Sequence, residues 1–196
     1  MIPAPLISAL RARYDEPQRH YHSWHHIEAL LRHYERWKEQ FHRPQPVLWA
    51  LYWHDAIYDP RAKDNEELSA RLLEQDAQGH LPADELALAA AIVRATAVHK
   101  VPEGLSPEDS ADTALFLDLD LSILGAPEAV YDRYEADIRK EYAFVPIEAY
   151  RAGRGAILKG FLARERLYMT ETAHTAWDGQ ARLNLSRAIA GLETLH

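Results

Sequence analysis

The chain has 196 residues, 47% of them hydrophobic, with no cysteine and a formal net charge of -8. That size and composition suit one globular domain with a sizeable core. They exclude disulfides and thiolate chemistry, and the acidic balance argues against general nucleic-acid binding. No charged leader precedes an apolar segment and no long uncharged span occurs, so a cytoplasmic protein with no membrane insertion is expected.

Leu6 to Tyr14 predicts a short amphipathic helix that Glu16-Pro17 ends. From about Arg19 to Phe41 a second helix carries Ile27, Leu30, Leu31, Tyr34, Trp37 and Phe41 at helical spacing. His22 and His26 extend this stripe at four-residue steps from Leu30, whereas His25 continues to Ala29 and Arg32. His26 is therefore expected to face the core, with His22 a further candidate for it, and His25 to face solvent.

Trp49 to Asp59 reads as a central core helix. Pro44 and Pro46 open it, and nothing breaks it before Asp59-Pro60. It holds the adjacent pair His54-Asp55 inside an apolar run. A carboxylate there is costly to bury unless it is paired, hydrogen-bonded or bound to a metal. A neutral imidazole beside a carboxylate can share one divalent cation with ligands from other helices. A core histidine bonded to its neighbour reads the pair equally well.

Pro60 to Asp64 predicts a loop with Arg61 and Lys63. Asp64 or Asn65 is placed to cap a helix reaching about Ala77, with Glu66 and Glu67 in its first turn and Gly79 after it. Pro82 starts an alanine-rich helix reaching about His99, with Leu86, Ala89, Ile92, Val93 and Thr96 inward. His99 shares the side of Ile92 and Thr96, and a histidine also suits the negative end of a helix. After a loop from Lys100 to Glu108, helices are predicted from about Pro107 to Leu124, Pro127 to Phe144, Pro146 to Leu162 and Ala173 to Leu195. Gly125 ends the first of these, and Ala163 to Thr172 is a candidate continuation of the third. No strand-like alternation, repeat or linker stands out. The pattern is that of a single all-α domain.

Asp118 and Asp120 share the apolar stretch Phe116 to Leu124 and point about 200° apart on a helix. Leu117, Leu121 and Leu124 form the inward stripe. Asp120 lies on it, and Asp118 lies off it as a supporting or capping group. Three helices then each offer inward ligand-type groups: His26, the pair His54-Asp55, and Asp120. Such a set suits one divalent ion among Mn, Fe, Co, Ni, Zn and Mg, with positions left for water and substrate.

In this order and context the residues resemble the HD superfamily of metal-dependent phosphohydrolases. That pattern is a histidine, a His-Asp pair and a distant aspartate on an all-α core. Tyr21-His22-Ser23-Trp24-His25-His26-Ile27 matches its first element, Trp53-His54-Asp55-Ala56 its second and Leu119-Asp120-Leu121 its last. The wider frame is similar to a small bacterial subgroup of predicted metal-dependent HD phosphohydrolases. It includes Arg13-Tyr14-Asp15-Glu16-Pro17, Asp64-Asn65-Glu66-Glu67-Leu68-Ser69-Ala70 and Asp118 to Gly125. The resemblance implies an HD-like helical domain and a metal held by His26, His54, Asp55 and Asp120. Binuclear members carry two more histidines between the pair and the last aspartate. Only His80 and His99 lie there, so a mononuclear site is expected.

The activity expected is hydrolysis of a phosphate ester on a nucleotide or other small phosphorylated metabolite. Asp55, Glu66, Glu67 and Asp118 are the candidate catalytic carboxylates. Arg61, Lys63, His99 and Lys100 are the candidate substrate-binding groups, with Arg19, Arg139 and Arg154 more distant in the chain. A substrate pocket is expected between the metal and the loops Pro60–Asp64 and Lys100–Pro107. The rival readings are a catalytically silent metal- or ligand-binding protein and a metal-dependent oxygenase on the same scaffold.

Overall fold

The computed structural model describes residues 2–194, and among them it has nine α-helices and no β-strand. The helices are α1 Ala4–Tyr14, α2 Trp24–Trp37, α3 Pro44–Trp53, α4 Asn65–Asp76, α5 Ala83–Ala95, α6 Pro107–Asp120, α7 Glu128–Glu141, α8 Ile147–Leu162 and α9 Glu171–Thr194. The all-α expectation holds. The chain divides into two compact units, one running to Leu119 and one beginning at Asp120.

The first unit is built around α3, which is apolar on every side and packs against α1, α2, α4 and α5. A helix with no polar face belongs inside. Val47, Trp49, Ala50, Leu51 and Trp53 are all buried. Trp49 and Trp53 stack with their rings 4.8 Å apart, and the Trp53 indole donates to Asp76 Oδ2 at 3.0 Å. Each side chain fully buried here contributes about 1.5–3 kcal/mol of transfer free energy. α2 buries His26, Ile27, Leu30, Tyr34 and Trp37 along one stripe, as its spacing predicts. Asp112 of α6 is buried and accepts the backbone N–H groups of His42 (2.8 Å) and Arg43 (2.7 Å). It thereby fixes the two residues that lead into α3 from a place far away in sequence.

In the second unit, a 3-10 turn over Leu121–Gly125 packs against α7 and α9, and α8 packs against α9. A Cβ on Gly125 would lie 2.5 Å from Trp177 Cβ and 2.9 Å from the Trp177 carbonyl oxygen. The glycine is there for close approach, not to supply a left-handed helix cap. Asn184 donates to the carbonyls of Leu124 and Ala126 at 2.9 and 2.8 Å and holds the same turn against α9.

Several predicted boundaries are corrected. α2 begins at Trp24 rather than Arg19. α3 ends at Trp53 rather than Asp59, and α5 ends at Ala95 rather than His99. α6 ends at Asp120 and passes into the 3-10 turn. Residues 163–170 do not continue α8. There Arg182 donates to the carbonyls of Leu162, Arg164 and Glu165, and Asp178 accepts from the Leu167 N–H. The predicted last residue of the final helix, Leu195, lies outside the described residues.

Candidate metal centre

His54 is the first residue past α3, with helical backbone angles, and is 1% exposed. The backbone that follows leaves the helix because side chains from elsewhere satisfy it one group at a time. Buried Tyr14 takes the Asp55 N–H at 3.2 Å and donates its own hydroxyl to the Tyr52 carbonyl at 3.0 Å. Arg19 donates to the carbonyls of Asp55 (2.6 Å) and Ala56 (2.9 Å). Ser69 Oγ accepts the Ile57 N–H at 2.9 Å and donates to the Ile57 carbonyl at 3.3 Å. The Asn65 amide pairs with both the N–H and the carbonyl of Asp59. Asn65 is thus a brace for this turn, and Asp64 stands at the N-cap of α4 without a side-chain cap bond.

The His54 ring is fixed at two places. Nδ1 lies 2.9 Å from the Leu51 carbonyl, and Phe116 of α6 meets the ring edge-on at 6.0 Å. A carbonyl has no proton to give, so Nδ1 carries the hydrogen, and in the neutral imidazole the lone pair is then at Nε2. That Nε2 lies 3.1 Å from His26 Nε2. Asp55 Oδ2 lies 3.0 Å from His54 Nε2 and 3.9 Å from His26 Nε2. His26 is 6% exposed, and Tyr21 lies against its ring at 4.9 Å.

Asp120 completes the group. A nitrogen of each histidine and a carboxylate oxygen of Asp120 all lie within 4.8 Å of one another. Asp120 is the last residue of α6, whose other residues belong to the first unit. The donor set fits a divalent cation. Two imidazole nitrogens at right angles, each ~2.1 Å from one ion, would lie about 3.0 Å apart, close to the observed separation. A lone pair facing a carboxylate is unfavourable unless a proton or a metal cation lies between them. His54 and Asp120 also stand at the C-terminal ends of α3 and α6, where the macrodipoles favour a cation, while His26 comes from the first turn of α2.

The remaining predicted residues fall in different places. His25 is 93% exposed at its side chain, as predicted. His22 lies before α2, half-buried, stacked on Tyr58 at 4.1 Å. Asp118 is corrected: it is 1% exposed, not a group turned off the core. α6 has buried residues on all its sides from Leu115 to Leu119, so a two-faced reading of its phase cannot sort the two acids. Glu66 is half-buried. Glu67 accepts from Arg94 at 2.6 Å and Arg71 at 2.8 Å, and these bonds lower its pKa to about 2. A carboxylate so held is a weak proton acceptor at neutral pH.

Arg61, Lys63 and Lys100 are exposed on their loops. His99 is half-buried with φ at 48°, a left-handed residue just past α5. Arg19, one of the more distant cations, is buried against backbone carbonyls. Arg154 pairs with Glu135 at 2.7 Å and with the Tyr134 hydroxyl at 2.8 Å. Arg139 donates to the carbonyls of Tyr142 and Val145.

The brace formed by Tyr14, Arg19, Asn65 and Ser69, and the hold of Asp112 on the residues leading into α3, were not read from the sequence. The available signal was polar residues of hydrogen-bonding type within or beside apolar stripes. No helix among the described residues is long and apolar enough to cross a membrane. No protein-family model, curated protein or solved structure matches the chain.

Proposed function

We propose that the protein is a metal-dependent phosphohydrolase of the HD type, acting on a nucleotide or another small phosphorylated metabolite. The observation that carries this reading is the group of His26, His54 and Asp120, with Asp55 against both imidazoles. A bound divalent ion would supply Lewis acidity toward a phosphoryl oxygen and acidify a water. The chain's own residues do the rest. His54 is locked by Leu51 and Phe116 and holds its lone pair in place. Asp55, 18% exposed at its side chain, is the solvent-reached carboxylate at the ligand nitrogens and accepts the water's proton. Glu67 is committed to Arg71 and Arg94 and does not act as that base. Arg61, Lys63 and Lys100 are the exposed cations assigned to the substrate's phosphate.

The test is a phosphatase and phosphodiesterase screen over nucleotides and sugar phosphates with each divalent metal in turn. Turnover that depends on metal and disappears in Asp55→Asn is the expected result. Ligand-induced melting shifts with no turnover under any metal would overturn hydrolysis in favour of a binding protein.

A further inference from the structure

Arg19 is 6% exposed and spends four of its five donors on named acceptors. Nη1 donates to the carbonyls of His22 at 3.2 Å and Asp55 at 2.6 Å, Nη2 donates to the Ala56 carbonyl at 2.9 Å, and Nε donates to Glu16 Oε2 at 3.2 Å. Its guanidinium carbon stands 5.1 Å from the Tyr14 ring and 5.6 Å from the Tyr58 ring. Tyr14 itself bonds the Asp55 N–H, and Tyr58 stacks on His22. The acceptors come from two separate segments. His22 lies four residues before His26, and Asp55 is next to His54.

We propose that Arg19 is a positioning residue for the metal centre, one planar fork that sets the spacing between the segment leading into His26 and the turn carrying His54 and Asp55. The inference rests on the metal reading above. No contact of Arg19 with substrate is involved, because its side chain is 1% exposed and turned to three carbonyls and the Glu16 carboxylate. Only a guanidinium meets this demand. Three carbonyls in a fixed fan require donors in a rigid plane, and an ammonium on a flexible stem offers a single point of attachment. Without the fork the two carbonyl ends of the turn must find other donors, and the separation of the two Nε2 atoms is no longer held.

The experiment compares wild type, Arg19→Lys and Arg182→Lys by titration with Co²⁺, reading affinity and the visible absorption of the bound ion. Arg182 likewise holds three backbone carbonyls, at Leu162, Arg164 and Glu165, but none flanks a ligand. Arg19→Lys is expected to bind Co²⁺ at least about tenfold more weakly, as for other residues that orient metal ligands, and with a changed spectrum. Added guanidinium ion should restore part of both. Arg182→Lys should lose thermal stability and keep wild-type affinity and spectrum. Equal affinity and spectrum in wild type and Arg19→Lys would overturn the inference and leave the metal reading standing. A wild type that binds no Co²⁺ would overturn both.

A measurement on the wild type alone decides the case if Arg19→Lys does not fold. Coupling between sites is reciprocal, so Zn²⁺ should slow hydrogen exchange at the Arg19 guanidinium by a factor comparable to the affinity it confers. Unchanged exchange on saturation with Zn²⁺ would overturn the inference.

Discussion

Two helices of the first unit end beside an arginine, and they end differently. At the end of α3, Arg19 is buried and donates to backbone carbonyls. At the end of α5, Arg94 sits in the last turn, 37% exposed, and pairs with the carboxylates of Glu67 and Glu74. The α5 end then unwinds through a hydrogen bond from the His99 N–H to the Ala95 carbonyl and a left-handed His99. An exposed ion-pair network contributes little, of the order of 0–1 kcal/mol per pair. A buried carbonyl left without a donor costs about 1–3 kcal/mol. The α3 end is therefore over-determined and can hold ligands at fixed spacing. The α5 end is tolerant and carries exposed side chains.

His54→Ala tests the strong end most severely. It removes one ligand nitrogen and leaves the Leu51 carbonyl without its donor. Metal affinity should fall by about a hundredfold or more, and stability without metal by about 1–3 kcal/mol. Calorimetric titration and denaturant melts check the two effects separately. Retained metal affinity would remove His54 from the centre.

The two aspartates of α6 sharpen the same end. Asp120→Asn should weaken metal binding by tens of fold with a small change in apo stability. Asp118→Asn should cost the fold about 1 kcal/mol, because Asp118 is buried, and leave most of the metal affinity. Equilibrium dialysis with chemical denaturation distinguishes the pair. A reversal of the two losses would make Asp118 the ligand.

Glu67→Gln probes the weak end through pH. The Glu67 pKa falls from the usual 4.5 to about 2, because Arg94 and Arg71 donate to its carboxylate. A depressed carboxyl pKa stabilises the folded chain fully above the ordinary value, and that stabilisation is lost as pH falls toward the folded one. The melting-temperature difference between wild type and Glu67→Gln should thus be constant above about pH 5 and vanish as pH approaches 2. A difference that persists at the acid limit would mean that packing, not charge, holds the contact.

The smallest effect is expected for His99→Gly. Glycine removes a left-handed cost of about 1–2 kcal/mol but adds freedom to the unfolded chain, for a net gain of about 0.5 kcal/mol. Metal affinity should not move. A loss of metal with this substitution would join the α5 end to the centre and remove the contrast.

The stripe of α2 gave the inward face of His26 from sequence alone, and the all-α class followed from helical periodicity. The departure of the chain from helix after Trp53 did not. The backbone there is satisfied by side chains: Tyr14 and Arg19 come from 36 or more residues earlier, and Asn65 and Ser69, 6 and 12 residues on, both accept from and donate to the turn, a kind of pairing that hydrophobic periodicity does not register. Asp112 is the same case in reverse, an acid whose partner N–H groups lie about seventy residues earlier. Asp118 misled because phase sorts residues only on a helix with one polar face, and α6 is buried along its last turns.

The spacing of the ligands along the chain bears on the order of assembly. His26 and His54 are 28 residues apart, with Arg19 close by in sequence, whereas Asp120 comes much later. Contacts between near neighbours close sooner than distant ones. The imidazole pair and its arginine are therefore expected to approach one another before α6, with Phe116 and Asp120, docks against them. A refolding chain is then expected to offer a nitrogen-rich half-site before Asp120 joins it. Zinc, which favours imidazole, is expected to be captured at that stage, and manganese or magnesium, which favour oxygen, only after Asp120 is in place. The ion acquired during folding and the ion preferred by the finished centre are then separate quantities, and the order of adding metal and diluting denaturant determines which is observed.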